Sequence, residues 1–201
     1  TILALELVGE KVSKVAEVFF NLNSAETNDT IQSIAREFSP LLSSYRNDIM
    51  LNEALFARVA KVWEQDQASL TGEDLILLEK SYKSFARNGI KLKGEDKQAL
   101  RGIDEELSSL SLKFGENVLA ETNAFELFQK ADDLAGLPDY ALASAAEEAK
   151  AKGREGEYLI TLQAPSYIPI MTYAANRSLR ESLFRAFGSK AFKGNEHDNK
   201  E

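Results

Sequence analysis

The sequence has no cysteine and a single histidine, and each scarcity removes a class of function. Without cysteine, the chain has neither a disulfide framework nor a thiolate nucleophile. One histidine, His197, cannot form a His-x-x-x-His zinc pair, and catalytic zinc normally takes three protein ligands. Triad catalysis fails for the same lack of bases. We therefore expect no catalytic, cofactor-binding or metal-binding residue here, and we expect His197 to be an exposed side chain in a polar segment.

Long apolar runs and basic runs are also missing. No stretch approaches the ~18 to 20 apolar residues that span a bilayer, and the start lacks the basic flank and cleavage pattern of a signal peptide. The net charge of −8 repels a phosphate backbone, and no basic run with interleaved aromatic residues offsets that repulsion. The sequence therefore predicts neither a nucleic-acid partner nor a membrane partner.

The compartment is only weakly indicated by the sequence. The absence of cysteine favours the reducing cytoplasm. The first residue is Thr1 rather than Met, and the apolar pattern is already running at Leu3. We therefore expect that upstream residues are missing, which leaves a periplasmic or lipid-anchored location open.

Amphipathic helices dominate the sequence. Apolar residues spaced alternately by three and four lie on one side of a helix. Four segments show this spacing: Leu5, Val8, Val12, Val15, Phe19; Ile31, Ile34, Phe38, Leu41, Tyr45; Leu75, Leu78, Tyr82, Phe85; and Leu100, Ile103, Leu107, Leu110, Phe114, Val118. A further helix is marked by Leu51, Leu55, Val59 and Val62. The short connections predict an all-α fold of antiparallel hairpins or a bundle.

The ends of these helices have recognisable signals. Thr71 followed by Asp74 predicts a capping box, and Asn88-Gly89 predicts a left-handed helix end. Pro40 removes a backbone donor inside the second stripe, so we expect a kink or break there. We expect the fourth helix to run from Glu95 to about Lys130, with interruptions possible at Gly115 and near Glu121.

The last third of the chain is less regular. The turn Gly136-Leu137-Pro138 opens an alanine-rich helix, and a sub-boundary is expected near 132–138. The alternation from Tyr158 to Gln163 predicts one short strand near 158–163. No pairing partner is evident in the chain, so we expect the partner strand to come from a missing remainder. We also expect an exposed apolar patch around this strand and the following helix, or its concealment by self-association.

Two groups of polar residues are candidates for a functional site. Acidic clusters lie near helix starts or on polar faces, where hydrated carboxylates are ordinary: Glu73-Asp74, Glu95-Asp96, Asp104-Glu105-Glu106 and Glu147-Glu148. A denser group follows the predicted strand: Tyr167, Tyr173, Asn176, Arg177 and Arg180. This group fits either a peptide-binding wall or core tyrosines with surface ion pairs, and the sequence leaves both open.

Several elements in order resemble one family. They are Phe85-Ala86-Arg87-Asn88-Gly89-Ile90-Lys91-Leu92; Asp104-Glu105-Glu106-Leu107-Ser108-Ser109-Leu110; Phe114-Gly115-Glu116-Asn117-Val118-Leu119; Leu134-Ala135-Gly136-Leu137-Pro138; Tyr158-Leu159-Ile160-Thr161-Leu162 with Pro165-Ser166-Tyr167; Asn176-Arg177-Ser178-Leu179-Arg180-Glu181; and Asp198-Asn199. Together they resemble the amino-terminal region of the zinc oligopeptidases that include thimet oligopeptidase, oligopeptidase A and peptidyl-dipeptidase. Thr1 to Glu6 and Phe19 to Leu22 resemble the bacterial peptidyl-dipeptidase branch in particular.

The resemblance implies a parent enzyme that hydrolyses short peptides with zinc-activated water. It implies a helical clam around a deep channel, with zinc held by a His-Glu-x-x-His helix and a downstream glutamate. None of those ligands has a counterpart between Thr1 and Glu201, so residues 1–201 are expected to form channel wall, with the catalytic domain as partner. A stand-alone binding or scaffold module, and a regulator with a degenerate peptidase domain, remain alternatives.

Overall fold

The computed structural model describes residues 2–200, and helices predominate in it. The α-helices are α1 Ile2–Val8, α2 Glu10–Ala25, α3 Asp29–Met50, α4 Glu53–Asp66, α5 Gly72–Arg87, α6 Gly94–Ala124, α7 Asp139–Ala151, α8 Ala164–Tyr173 and α9 Arg177–Gly188. Two strands, β1 Leu127–Gln129 and β2 Tyr158–Ile160, form a small antiparallel sheet. The all-α class is confirmed. None of the helices described between residues 2 and 200 is long and apolar enough to cross a lipid bilayer.

The chain divides into two compact units, Thr1–Leu112 and Lys113–Glu201. The division falls within α6, so one helix contributes residues to both units. The sub-boundary expected near 132–138 lies inside the second unit and stays a prediction.

The first unit is built from helical hairpins. α2 packs against α3, α4 packs against α5, and α1 touches both α2 and α5. The core is small: Val59, Phe85 and Ile90 are buried together, with half-buried neighbours around them. Aromatic rings extend this core, because Phe56 makes tilted contacts with both Phe85 and Tyr82, and Trp63 stacks on Tyr82 at a centroid distance of 5.0 Å. The unit is therefore joined by aromatic contacts as much as by aliphatic burial.

Three details of the first unit differ from or refine the sequence predictions. The helix at Pro40 does not break, because α3 continues from Asp29 to Met50. The first predicted helix is in fact two, since α1 ends at Val8 and α2 begins at Glu10. Asn88 and Gly89 end α5 as predicted, with φ of +88° at Gly89. A Cβ there would lie 2.4 Å from Leu100 Cδ2, so a larger residue would displace the end of that side chain.

The second unit has a larger core around the strand pair. Leu127 pairs with Ile160, Phe128 with Leu159 and Gln129 with Tyr158, and α7 packs against β2. The core joins β2 to the surrounding helices through these buried residues: Leu134, Leu137, Ala145, Ile160, Leu162, Ile170, Ala174, Leu179 and Leu183. Gly136, at φ of +92°, makes the predicted turn before α7.

The expectation of an unpaired strand was wrong. Its partner is β1, within the same unit, and Leu159 and Ile160 are buried rather than exposed as an interface. The predicted extension of α6 to about Lys130 was also wrong, because α6 ends at Ala124 and β1 follows. Three residues are too few for periodicity to distinguish a strand from the last turn of a helix. The helix after β2 does expose Ile168 and Tyr173.

Candidate functional site

The single histidine lies in the polar segment where exposure was expected. Its imidazole Nε2 is 3.7 Å from a Glu196 carboxylate oxygen, and about a third of the His197 side chain is exposed. Within residues 2–200, no group of three or more histidine, cysteine, aspartate or glutamate side chains is placed to hold a metal ion. The expectation that the chain binds no zinc remains a matter for measurement.

The five polar residues that follow the predicted strand have different roles in the structure. Tyr167 stacks on Phe187 at 4.4 Å, and the Asn176 side chain accepts a hydrogen bond from Leu179 N at the start of α9. Arg180 donates to the carbonyl of Ala174, at the end of α8. These three side chains hold the second unit together, whereas Tyr173 and Arg177 remain exposed.

Two of these five residues, both arginines, line the same surface recess. Arg177 and Arg180 line a shallow recess of about 350 Å³ with Glu181, Met171 and Phe184. A carboxylate beside two guanidinium groups reduces the attraction for an anionic ligand, and Arg180 is already bonded. The arrangement supplies neither a nucleophile nor an unpaired base.

The second unit also contains a buried carboxylate, at a position where only a helix interruption was expected. Glu121 in α6 is 6% exposed. Its two oxygens accept hydrogen bonds from the Lys193 ammonium and the Asn195 amide. These bonds hold the pKa of Glu121 below its ordinary value, because they favour the charged form against the opposing effect of desolvation. With both oxygens occupied, Glu121 serves as an anchor rather than as a general base.

The same anchor extends along the last residues of the chain. Asn117, one turn before Glu121, donates to Asn199 Oδ1 at 2.8 Å, and Asn199 donates to the carbonyl of Phe114 at 3.2 Å. Asp198 accepts from Gly194 N, which keeps the pKa of its carboxyl low. The spacing of Asn117 and Glu121 places both on one helix face, but their partners are more than 70 residues away, so no local pattern announces them.

An apolar cleft lies in the first unit. It has a volume of about 860 Å³ and is walled by α1, α2, α3 and α5, with Leu5, Val12, Tyr45, Ile49 and Phe85 among its lining residues. Glu6, Glu10 and Lys80 also line it. Such a surface can receive apolar side chains of a ligand, but it contains no group arranged for bond cleavage.

Comparison with known proteins gives a consistent set of relatives. The chain is 38% identical to dipeptidyl carboxypeptidase of Salmonella typhimurium over 200 residues, and 36% identical to that of Escherichia coli. Oligopeptidase A of Haemophilus influenzae is 33% identical over 192 residues. These matches cover 98%, 98% and 94% of this chain, but only 29%, 29% and 28% of the relatives. No protein-family model matches the sequence.

The chain is a homologue of the dipeptidyl carboxypeptidase and oligopeptidase A family. The family resemblance found in the sequence is thereby confirmed, including the higher identity to the dipeptidyl carboxypeptidases. The chain spans less than a third of the length of these relatives. Its described residues contribute helical hairpins, an apolar cleft and a polar anchor.

Proposed function

We propose that this chain is the amino-terminal helical region of a zinc-dependent peptidase that hydrolyses short peptides. The observation that carries the proposal is similarity to dipeptidyl carboxypeptidases over nearly the whole chain. The chain spans 29% of the length of the dipeptidyl carboxypeptidase that it matches, and we place the catalytic groups of the parent in a further part of the polypeptide. This region contributes substrate contacts rather than chemistry. On the absence of cysteine, we place the parent in the cytoplasm.

The test compares the 201-residue chain with the product of its continuous reading frame. We expect the longer product to contain His-Glu-x-x-His, to hold about one zinc ion per chain and to cleave a quenched fluorescent peptide until a chelator removes the metal. The 201-residue chain should neither hold zinc nor cleave the peptide, and His197→Ala should change neither its zinc content nor its activity. Cleavage by the short chain, or metal-independent cleavage by the long one, would contradict the proposal.

The same experiment separates the alternatives. A stop codon shortly after Glu201 would favour a stand-alone binding or scaffold module, and a continuation with a broken zinc motif would favour a regulator. Mass spectrometry of the peptide products distinguishes release of carboxy-terminal dipeptides from internal cleavage. Fractionation of cells with an antibody against this chain tests the cytoplasmic location.

We further propose that the apolar cleft of the first unit forms part of the substrate channel wall. Its lining of apolar side chains suits the side chains of an extended peptide. A photoreactive phenylalanine at Tyr45, which lines the cleft, should crosslink to peptide in a catalytically inactive full-length parent. Tyr140, exposed in the second unit, provides the matched control position. Equal crosslinking at both positions, or crosslinking that excess unlabelled peptide does not compete away, would refute this assignment.

A further inference from the structure

A second recess in the first unit has unmet hydrogen-bonding groups. It lies between α3 and α6, beside the end of α5, and has a volume of about 420 Å³. Hydroxyls of Ser39, Ser43 and Ser111 line it, together with Arg46, Asn47 and Asp104. Its volume lies within the ~300 to 1,000 Å³ of small-molecule sites, and its lining is much more polar than that of the apolar cleft.

Asn47 is the most informative residue of this recess. It is 6% exposed, and its Nδ2 has no hydrogen-bond partner within residues 2–200. The backbone carbonyl of Asn47 accepts from Arg101 and Leu51, so the residue is fixed while its amide nitrogen is left over. Buried polar groups in native proteins are almost always bonded, so the Asn47 amide nitrogen is an exception beside this recess.

The recess also contains a cation and an anion, Arg46 and Asp104, that do not form an ion pair with each other. Arg46 makes one long bond of 3.4 Å to Asn88 Oδ1 and no ion pair with the described residues. Asp104 makes neither a hydrogen bond nor an ion pair within residues 2–200, and the nearby Arg101 pairs with Asp48 instead. A cation and an anion thus line one cavity with their binding capacity free.

We propose that this recess binds a small zwitterion, either a free amino acid or a dipeptide. The ligand's carboxylate accepts from the Arg46 guanidinium, and its ammonium donates to the Asp104 carboxylate. Leu42 and Leu107, which also line the recess, contact the ligand's side chain. The ligand is inferred from the chemistry of the recess, so the inference stands whether or not the parent is a peptidase.

The experiment is isothermal titration of the full chain with leucine and with glycyl-leucine, each compared with its N-acetylated and its C-amidated form. We expect saturable binding that weakens at least ~10-fold when either ligand charge is removed. The tighter of leucine and glycyl-leucine identifies the source of the zwitterion. Absence of saturable binding of both compounds up to millimolar concentration would overturn the proposal.

Substitutions assign each ligand charge to its residue. In Asp104→Asn, the free and the N-acetylated ligand should bind equally, and in Arg46→Gln the free and the C-amidated ligand should bind equally. Glu106→Gln on the same helix and Arg58→Gln on α4 remove exposed charges outside the recess, and they should keep both discriminations. Circular dichroism checks that each variant is folded. Discrimination that survives both recess substitutions would show that binding occurs elsewhere and would refute the assignment.

Discussion

The two units of this chain bury apolar side chains to very different extents. In the first unit the buried apolar residues are Ala35, Leu51, Val59, Leu78, Phe85 and Ile90. In the second, shorter unit they are twice as many: Leu134, Leu137, Ala145, Ala149, Leu159, Ile160, Leu162, Ile170, Ala174, Leu179, Leu183 and Ala191. The first unit also leaves much of its apolar stripes exposed, for example Val15 at 64% and Leu107 at 54%.

This difference follows from how each unit brings its elements together. In the second unit, the two strands, a short 3₁₀ helix at Ala131–Leu134 and three α-helices surround one centre, so each element covers another. In the first unit, hairpins meet along narrow seams, and α1 and α2 contain no buried residue. Amphipathic spacing shows that a helix has an apolar face, but not that the face is covered within the same chain. We therefore expect the second unit to be the more stable one.

Core truncation should test that comparison with the largest effects. Phe85→Ala removes a ring that is 1% exposed from a three-residue core, and Leu183→Ala removes a fully buried side chain from a larger one. We expect losses of about 3–5 kcal/mol for Phe85 and about 2–5 kcal/mol for Leu183, with the Phe85 variant unfolding the first unit. Urea denaturation followed by circular dichroism measures both.

Trp63 makes the two outcomes separable. It is the only tryptophan, it lies in the first unit, and the ring contacts of Tyr82 and Phe56 connect it to Phe85. Phe85→Ala should therefore alter the tryptophan emission in buffer, whereas Leu183→Ala should not. Phe184→Ala, next to Leu183 but 63% exposed, is the control and should cost less than about 1 kcal/mol. Equal tolerance of Phe85→Ala and Phe184→Ala would mean that the first unit has no cooperative core.

Glycine substitutions should give the next largest effects. A Cβ at Gly136 would lie 2.4 Å from the backbone oxygen of Tyr173, whereas one at Gly89 would meet the end of the Leu100 side chain. Both have positive φ, which costs a residue with a Cβ about 1–2 kcal/mol. Gly136→Ala should cost about 1–3 kcal/mol beyond that, because a backbone atom cannot move aside easily. Gly89→Ala should cost less, because Leu100 can change rotamer.

Gly153→Ala is the reference for backbone strain alone. Its φ is +77°, and nothing lies within 4 Å of the added Cβ. Thermal melting of the three variants should rank them Gly136, Gly89, Gly153 from the most to the least destabilised. A Gly136→Ala variant as stable as Gly153→Ala would show that the turn before α7 relaxes freely.

The contribution of the polar anchor at Glu121 to the stability of the second unit should depend on pH. The pKa of Glu121 is lowered in the folded state, so its contribution to stability is complete above the unfolded pKa of about 4.3 and is lost as pH falls through the folded pKa. Glu121→Gln should cost about 1.5–3 kcal/mol at pH 7, the worth of hydrogen bonds to a charged group. That cost should shrink as pH falls below about 4. Glu147→Gln, at an exposed position of α7, should show neither effect in urea titrations at pH 7, 5 and 3.5.

The elements that the sequence predicted correctly are those with local causes. The turn at Gly136 and the helix end at Asn88-Gly89 follow from positive φ, and α4 and α5 follow from apolar periodicity. The sequence did not predict β1, because three residues are too few to show a period. Whether an apolar stripe is buried depends on surfaces that are distant in the sequence.

The candidate site was predictable to a smaller degree. Asn176 and Arg180 were singled out as polar residues beside a strand, but the structure uses them to cap α9 and to bind the end of α8. The bonds of Glu121 to Lys193 and Asn195, like the recess around Asn47, join residues distant in sequence. A single sequence without such contacts cannot assign them.

Helix capping is the property in which the two units should differ least, and the effects should be the smallest. Asn52 accepts from Leu55 N at 2.9 Å in the first unit, and Asn176 accepts from Leu179 N at 3.2 Å in the second. Each bond satisfies one helix-end donor regardless of core size, so Asn52→Ala and Asn176→Ala should each cost about 0.5–2 kcal/mol. Thr71 occupies the predicted cap position of α5 but makes no capping bond, so Thr71→Ala should cost about 0.5 kcal/mol or less. Urea denaturation of the three variants provides the measurement. If Thr71→Ala lost as much stability as Asn52→Ala, Thr71 would form a capping bond in solution. A much larger loss for Asn176→Ala would show that this cap also supports the core of the second unit.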